Sequence, residues 1–199
     1  MLTRAWDVTA EPGCKVTVTN PTDAELVAST VAGSRDAFDV IVERHRRHVY
    51  QLCYRFAGNH EDASDLAQDV FIRAYRGLRT FKGQSSLGTW LYRIAVNVSL
   101  NKVGAKAGKP ESLDRLLLGN DERAASHDEN AADALLRHER AGQVRAAIAK
   151  LPKKQRATLI LRVYHELPHE QIAGILGSSV GAAKANLFHA LSNLKKLLS

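Results

Sequence analysis

Residues 168–199 read PHEQIAGILGSSVGAAKANLFHALSNLKKLLS, and the spacing of their apolar side chains decides the fold class. Ile172, Ala173, Ile175 and Leu176 share one side of a short helix. Pro168 suits its start, because the N–H that proline lacks has no partner in a first helical turn. Gly177 follows where a helix can end in the left-handed conformation, and Ser179 can cap the next helix. Val180, Ala183, Leu187, Leu191 and Leu194 then recur at three- and four-residue spacing, which predicts the buried stripe of a second helix. Two helices joined by such a turn read as a helix-turn-helix, a motif that places its second helix in the DNA major groove. Lys184, Asn186 and His189 cannot all lie on the buried stripe, so side chains are left to face outward. Lysine reaches phosphate or guanine, and asparagine pairs adenine through two hydrogen bonds. An ordinary three-helix packing motif has the same apolar pattern, so this segment does not establish DNA binding by itself.

Working back from this segment, helical periodicity runs through Leu135, Leu136 and Ile148, stops at Leu151-Pro152, and resumes in Ala157, Ile160, Leu161 and Tyr164 up to Pro168. Residues 104–130 hold glycines, Pro110, scattered charge and one short apolar run at Leu116–Leu118, and read as a flexible linker. Before them lie three helical patterns. From Asp23 onward, Phe38, Ile41, Val42, His45, Val49, Leu52, Cys53 and Phe56 line one face of a helix ending near Gly58-Asn59. A second helix from about Asp62 carries Ala63, Leu66, Ala67, Val70, Phe71, Ala74 and Leu78 on its apolar stripe, leaving Asp65, Gln68, Asp69, Arg73 and Arg76 exposed. Residues 80–88 read as a loop, and a third helix spans about Thr89 to Lys102. Residues 1–22 show no period and read as a flexible leader.

The expected architecture is therefore all-α, with two small helical domains at 23–103 and 131–199 joined by the 104–130 linker. The formal charge of +7 is unevenly spread: 1–34 and 104–130 are each net −2, 35–103 is +4 and 131–199 is +7. Both candidate domains are basic, which suits a polyanionic partner. No stretch has the ~18 consecutive apolar residues of a membrane span, and no secretory signal is apparent, so a cytoplasmic protein without membrane contact of its own is expected. Cys14 and Cys53, the only cysteines, fit neither a disulfide framework nor a zinc site, and Cys53 reads as a small core hydrophobe.

The segments DAFDVIVERHRRHVYQLCYRF (36–56), DASDLAQDVFIRAYRGL (62–78) and FKGQSSLGTWLYRIAVNVSLN (81–101) closely resemble sigma region 2 of extracytoplasmic-function (ECF) sigma factors, and residues 133–199 resemble their region 4. DLAQDVFIRAY and TWLYRIAVN are the most specific pieces. The resemblance implies a transcription initiation factor that binds core RNA polymerase and promoter DNA, with no cofactor, metal or catalytic residue, and often with an anti-sigma protein as a further partner. It assigns Asp65, Gln68, Asp69, Arg73 and Arg76 to the surface that grips the coiled-coil clamp of the polymerase's largest subunit. It assigns Phe81, Lys82, Gln84, Ser85, Ser86, Trp90, Arg93 and Asn97 to capture of the minus-10 strand. Flat side chains there would face flipped bases, and polar and cationic groups would hold the strand. It assigns Ser179, Lys184, Ala185, Asn186, Phe188 and His189 to minus-35 duplex. Lys184, Ala185, Asn186 and His189 depart from the arginines common in relatives, and Ala182 stands where threonine is usual, so a different minus-35 preference is expected. No sigma region 1 or region 3 is evident, as in the ECF type.

Two competing readings remain. His165-Glu166-Leu167-Pro168-His169 matches the HExxH letters of zinc hydrolases, but Pro168 interrupts the continuous helix that would bring both histidines to one metal. A stand-alone helix-turn-helix regulator would account for 131–199 and leave 35–103 without explanation.

Overall fold

The computed structural model describes residues 21–106 and 131–199, except for the side chains of 103–106, 131–135, 137 and 138. The leader up to residue 20, Cys14 and linker residues 107–130 lie outside the described residues. Every regular element among those described is helical, as the sequence period predicts.

Helix α1 (Asp23–Val31) begins at a reciprocal cap: the Thr22 hydroxyl accepts from the Glu25 N–H, and the Glu25 carboxylate accepts from the Thr22 N–H at 2.7 Å. The pattern from Asp23 onward is two helices, not one. The chain breaks at Gly33, whose φ of 110° suits only glycine, before Ser34 caps α2 (Arg35–Ala57). Arg44 and His45 of α2 both reach Asp23, which ties α1 down. Gly58 ends α2 in the left-handed conformation. Asn59 caps α3 (His60–Gly77), two residues earlier than the Asp62 start that the sequence suggests. After a 3₁₀ turn at Leu78–Thr80 and a short loop, α4 (Leu87–Lys106) runs longer than the predicted third helix at both ends. Ile41, Leu52, Phe56, Leu66, Val70, Leu78 and Leu91 fill the space between α2, α3 and α4. Cys53 is buried here, and desolvation pushes its thiol up to about 11, which makes it a packing residue as expected.

The second unit comprises α5 (Ala131–Lys150), α6 (Lys153–Val163), α7 (His169–Leu176) and α8 (Val180–Leu198), around Ile160, Leu161, Ile172, Ala183 and Ala190. Two details differ from the sequence expectation. Helix α6 stops at Val163, five residues before Pro168. Leu191 is 52 % exposed, because the fully buried Ala190 takes the core-facing position beside it.

The units also touch, and their buried residues form one connected cluster. Helix α7 lies against α4, and α6 reaches α2. Arg156 of α6 donates to the Phe56 carbonyl, and Arg93 of α4 donates to the Gly174 carbonyl of α7. The Tyr92 hydroxyl lies 3.3 Å from His165 Nδ1, and the Arg55 guanidinium sits 4.2 Å above the centre of the Tyr164 ring.

Candidate functional site

Three surfaces collect the side chains singled out above. The first is on α3. A helix advances about 100° per residue, so positions 65, 68, 69, 72, 73 and 76 share one side. Asp65, Gln68, Arg73 and Arg76 are exposed and Asp69 half-exposed, while Leu66, Val70 and Ala74 on the opposite stripe are buried. The two carboxylates are paired locally: Asp69 with Arg73 one turn on at 3.0 Å, and Asp65 with Lys102 of α4 at 3.3 Å. Solvent-exposed pairs of this kind contribute about 0–1 kcal/mol, so either carboxylate can exchange its partner for an incoming cation at little cost. Ile72 lies among these charges at 43 % exposure, and Tyr75 beside it is 46 % exposed. With Phe38, Val42, Phe71 and Gln68 they line a shallow apolar groove between α2 and α3. An apolar centre with a charged rim has the anatomy of a protein-docking surface. Sorting α3 into an apolar stripe and a polar face passes over Ile72 and Tyr75, although the spacing from Asp65 to Ile72 already puts Ile72 on the charged side.

The second surface is the loop before α4 and the outer stripe of α4. Lys82, Gln84, Ser85 and Ser86 are exposed. Ser86 also has a structural task, since its hydroxyl accepts from the Thr89 N–H at 3.1 Å in the first turn of α4. Phe81 and Trp90 lie 5.3 Å apart between ring centres, and Trp90 is half-buried beside Gly77, where a Cβ would meet its ring in ordinary contact at 3.5 Å. Trp90, Arg93 and Asn97 follow at i, i+3 and i+7 on one side of α4, with Arg93 and Asn97 exposed. A flat side chain, a cation and an amide thus lie in a row beside the polar loop. In this docked arrangement Arg93 is held by the Gly174 carbonyl.

The third is the helix-turn-helix of α7 and α8. Gly177 adopts φ 58° and ψ 43°, and the N–H groups of Gly177 and Ser178 both return to the Ala173 carbonyl, closing the turn. The Ser179 hydroxyl accepts from the Ala182 N–H at 3.1 Å, so its oxygen serves as the cap of α8. Lys184, Ala185, Phe188 and His189 form one exposed outward face, with Phe188 70 % exposed and edge-on to His189. Asn186 is half-buried and lies about 200° around the axis from Lys184, so the helix does not bring those two together.

The HExxH letters make no shared face: His165 lies past the end of α6, Glu166 has a φ of 54°, and His169 opens α7. His165 is held down to about 4 by burial, with the nearby His48 and Arg55 acting in the same direction. His45 is also pushed down by burial, against the opposing pull of Asp23.

All three surfaces lie within segments that match known families. Residues 41–107 match the family model for Sigma-70 region 2, and residues 141–194 match that for Sigma-70 region 4. The chain is similar to the RNA polymerase sigma-H factor of Pseudomonas aeruginosa, at 33 % identity over 185 residues, covering 91 % of this chain and 96 % of that protein. It is similar to the ECF RNA polymerase sigma factor SigW of Bacillus subtilis at 35 % identity over 173 residues, covering 83 % and 91 %. Its fold is similar to that of the sigma factor RpoE from Bartonella quintana, solved in complex with the anti-sigma factor NepR, with a TM-score of 0.58 at 20 % identity over 81 % of this chain and 96 % of that one.

Proposed function

The chain belongs to the ECF class of the sigma-70 family, and we propose that it binds core RNA polymerase, directs it to promoters and starts transcription there. The observation that carries this reading is the presence, in one chain, of an amphipathic docking face on α3 and an outward face on the second helix of a helix-turn-helix. Neither alone makes an initiation factor. Together they join a polymerase anchor to a DNA reader.

In this reading 23–103 forms the polymerase and minus-10 domain and 131–199 the minus-35 domain. The groove around Ile72 and Tyr75 receives an apolar side chain of the polymerase clamp, while Asp65 and Asp69 exchange Lys102 and Arg73 for the clamp's own cations. Asn97 hydrogen-bonds an unstacked minus-10 base, Trp90 and Phe81 present flat surfaces beside it, and Lys82 and Arg93 hold the strand's phosphates. Lys184 and His189 face duplex at the minus-35 element, with Phe188 as an apolar contact for a thymine methyl.

The two promoter elements lie about 85 Å apart, at ~3.4 Å for each of roughly 25 base pairs. In the docked arrangement Arg93 donates to the Gly174 carbonyl, so α7 of the helix-turn-helix unit sits against the minus-10 stripe of α4. Docked and promoter-bound states therefore exclude each other, and α7 must leave α4 before both elements are engaged. The chain between α4 and α5, residues 107–130, spans at most about 80–86 Å when extended, enough for that separation once the domains' own widths are added. An anti-sigma protein, as in the complex of the Bartonella relative, is a natural partner for the same faces. The site of action is the cytoplasm, with the polymerase.

The purified chain with core polymerase, and no other sigma factor, is expected to produce discrete run-off transcripts from a genomic fragment library. Transcription that appears only when a housekeeping sigma factor is added would overturn the proposal in favour of a stand-alone regulator.

A further inference from the structure

Every third residue from Arg73 to Lys82 is a cation: Arg73, Arg76, Arg79 and Lys82. No Asp or Glu occurs between Asp69 and Glu111, so the segment that carries these side chains supplies nothing to neutralise them. Arg73 is held by Asp69 one turn back, at 3.0 Å. Arg76, Arg79 and Lys82 are exposed and make no ion pair among the described residues. Arg76 lines the apolar groove of the docking face, and Lys82 belongs to the loop before α4. Arg79 lies between these two surfaces and belongs to neither.

The backbone beneath Arg79 is fixed. Arg79 is the middle residue of the 3₁₀ turn Leu78–Thr80, and Leu78 is buried in the core at 2 % exposure. The Thr80 hydroxyl donates to the Gly77 carbonyl at 2.7 Å, and the Phe81 N–H donates to the Leu78 carbonyl at 3.1 Å. Three-residue spacing keeps successive cations on neighbouring sides of the chain as α3 gives way to this turn.

We propose that Arg79 is a phosphate-binding residue, whose guanidinium takes a backbone phosphate of the unpaired promoter strand where that strand leaves the minus-10 loop at Lys82. The inference rests on the reading of residues 81–97 as the minus-10 surface. A row of exposed, unneutralised cations complements a row of phosphates and is continuous with that surface. A guanidinium can take two phosphate oxygens at once, so Arg79 fixes the strand's course without choosing its sequence. A carboxylate of the polymerase clamp is the rival occupant. The groove offered to the clamp ends at Arg76, however, while Arg79 lies beyond Gly77, off α3 and three residues from Lys82.

The test uses holoenzyme assembled from core polymerase and the full chain, with a fluorescent DNA bubble spanning the minus-10 element of a start site mapped by run-off transcription. Affinity is measured across a range of salt concentrations. Each phosphate neutralised on a single strand contributes about 0.7 to the slope of log affinity against log salt. Arg79→Gln is therefore expected to lower that slope by about 0.7, and the affinity roughly fivefold at about 0.1 M salt. The loss is expected to be equal on matched and mismatched minus-10 sequences, and Arg79→Lys, which keeps the charge, is expected to restore most of the slope. Competition against the wild type for core polymerase is expected to be unchanged in Arg79→Gln. An unchanged slope in Arg79→Gln would overturn the proposal. A lowered unfolding temperature with that unchanged slope would give Arg79 to the C-terminal end of α3, and weaker competition for core polymerase would give it to the clamp. Wild-type holoenzyme that binds the bubble no better than core polymerase alone would refute the minus-10 reading itself, and this inference with it.

Discussion

Acidification is expected to separate the two helical units, and His165 is the residue that makes them sensitive. Its imidazole is pressed against Tyr92 of α4, with His48 and Arg55 of α2 as the charged and titratable groups facing it. Docking holds it near 4, whereas in an undocked chain, exposed to water, it returns to about 6.5. The undocked state therefore binds more protons between those two values, and docking weakens as pH falls through that window. The full difference amounts to about 3 kcal/mol, reached only below pH 4. At pH 5 about 2 kcal/mol of it is present, roughly a thirtyfold drop in the docking constant relative to pH 7.5. The assay is energy transfer between one dye on α3 and one on α8, both on exposed positions outside the seam, titrated from pH 7.5 to 5. His165→Gln removes the titrating group and is expected to flatten most of that dependence. The same pH dependence in wild type and variant, or tighter docking in acid, would refute the reasoning.

Charge reversal at Asp65 and Asp69 together is expected to abolish co-purification with core polymerase while shifting the unfolding temperature little, since both pairs are on the surface. Ile72→Ser, at an exposed apolar position, is expected to weaken polymerase binding by about 1–2 kcal/mol with fold stability nearly unchanged, read by competition against the wild type. Asn97→Ala is expected to remove about 1–3 kcal/mol of discrimination at one minus-10 position; an equal loss on matched and mismatched templates would make Asn97 structural only. Lys184→Ala is expected to reshape preference on a randomised minus-35 library if Lys184 reads bases, or to lower affinity evenly and reduce the salt slope by roughly 1 if it holds phosphate; neither change would remove it from the DNA face.

Much of this architecture is legible in the sequence because its boundaries are written in side chains. Gly58, Gly177 and Ser179 end and begin helices where their chemistry requires, and the buried stripes of α2 and α3 follow their period. Ile72 and Tyr75 are less legible, because an apolar residue reads as core unless its angular position is compared with its charged neighbours. Leu191 illustrates the opposite error: at equal spacing the smaller Ala190 is the one that fits the close approach to α6. Asn186 and Lys184 share a hydrogen-bonding chemistry, but two residues along a helix point nearly opposite ways. The seam could not be read at all. The acceptors that Arg156 and Arg93 reach across it are the carbonyls of Phe56 and Gly174, and every residue has a carbonyl, so no residue type announces them.

That choice of acceptors makes the seam's mutational robustness lopsided. Arg93 and Arg156 can each be deleted by a single base change, and docking then loses a charge-assisted hydrogen bond. The oxygens they grip cannot be deleted by any replacement of side chains. Gly174 even has open space where a Cβ would stand, so an alanine there leaves the acceptor in place. Random mutation will therefore release the two units through the donor positions far more often than through the acceptors, and a screen for variants whose units no longer dock should accumulate changes at Arg93 and Arg156 while passing over Phe56 and Gly174 as contact sites.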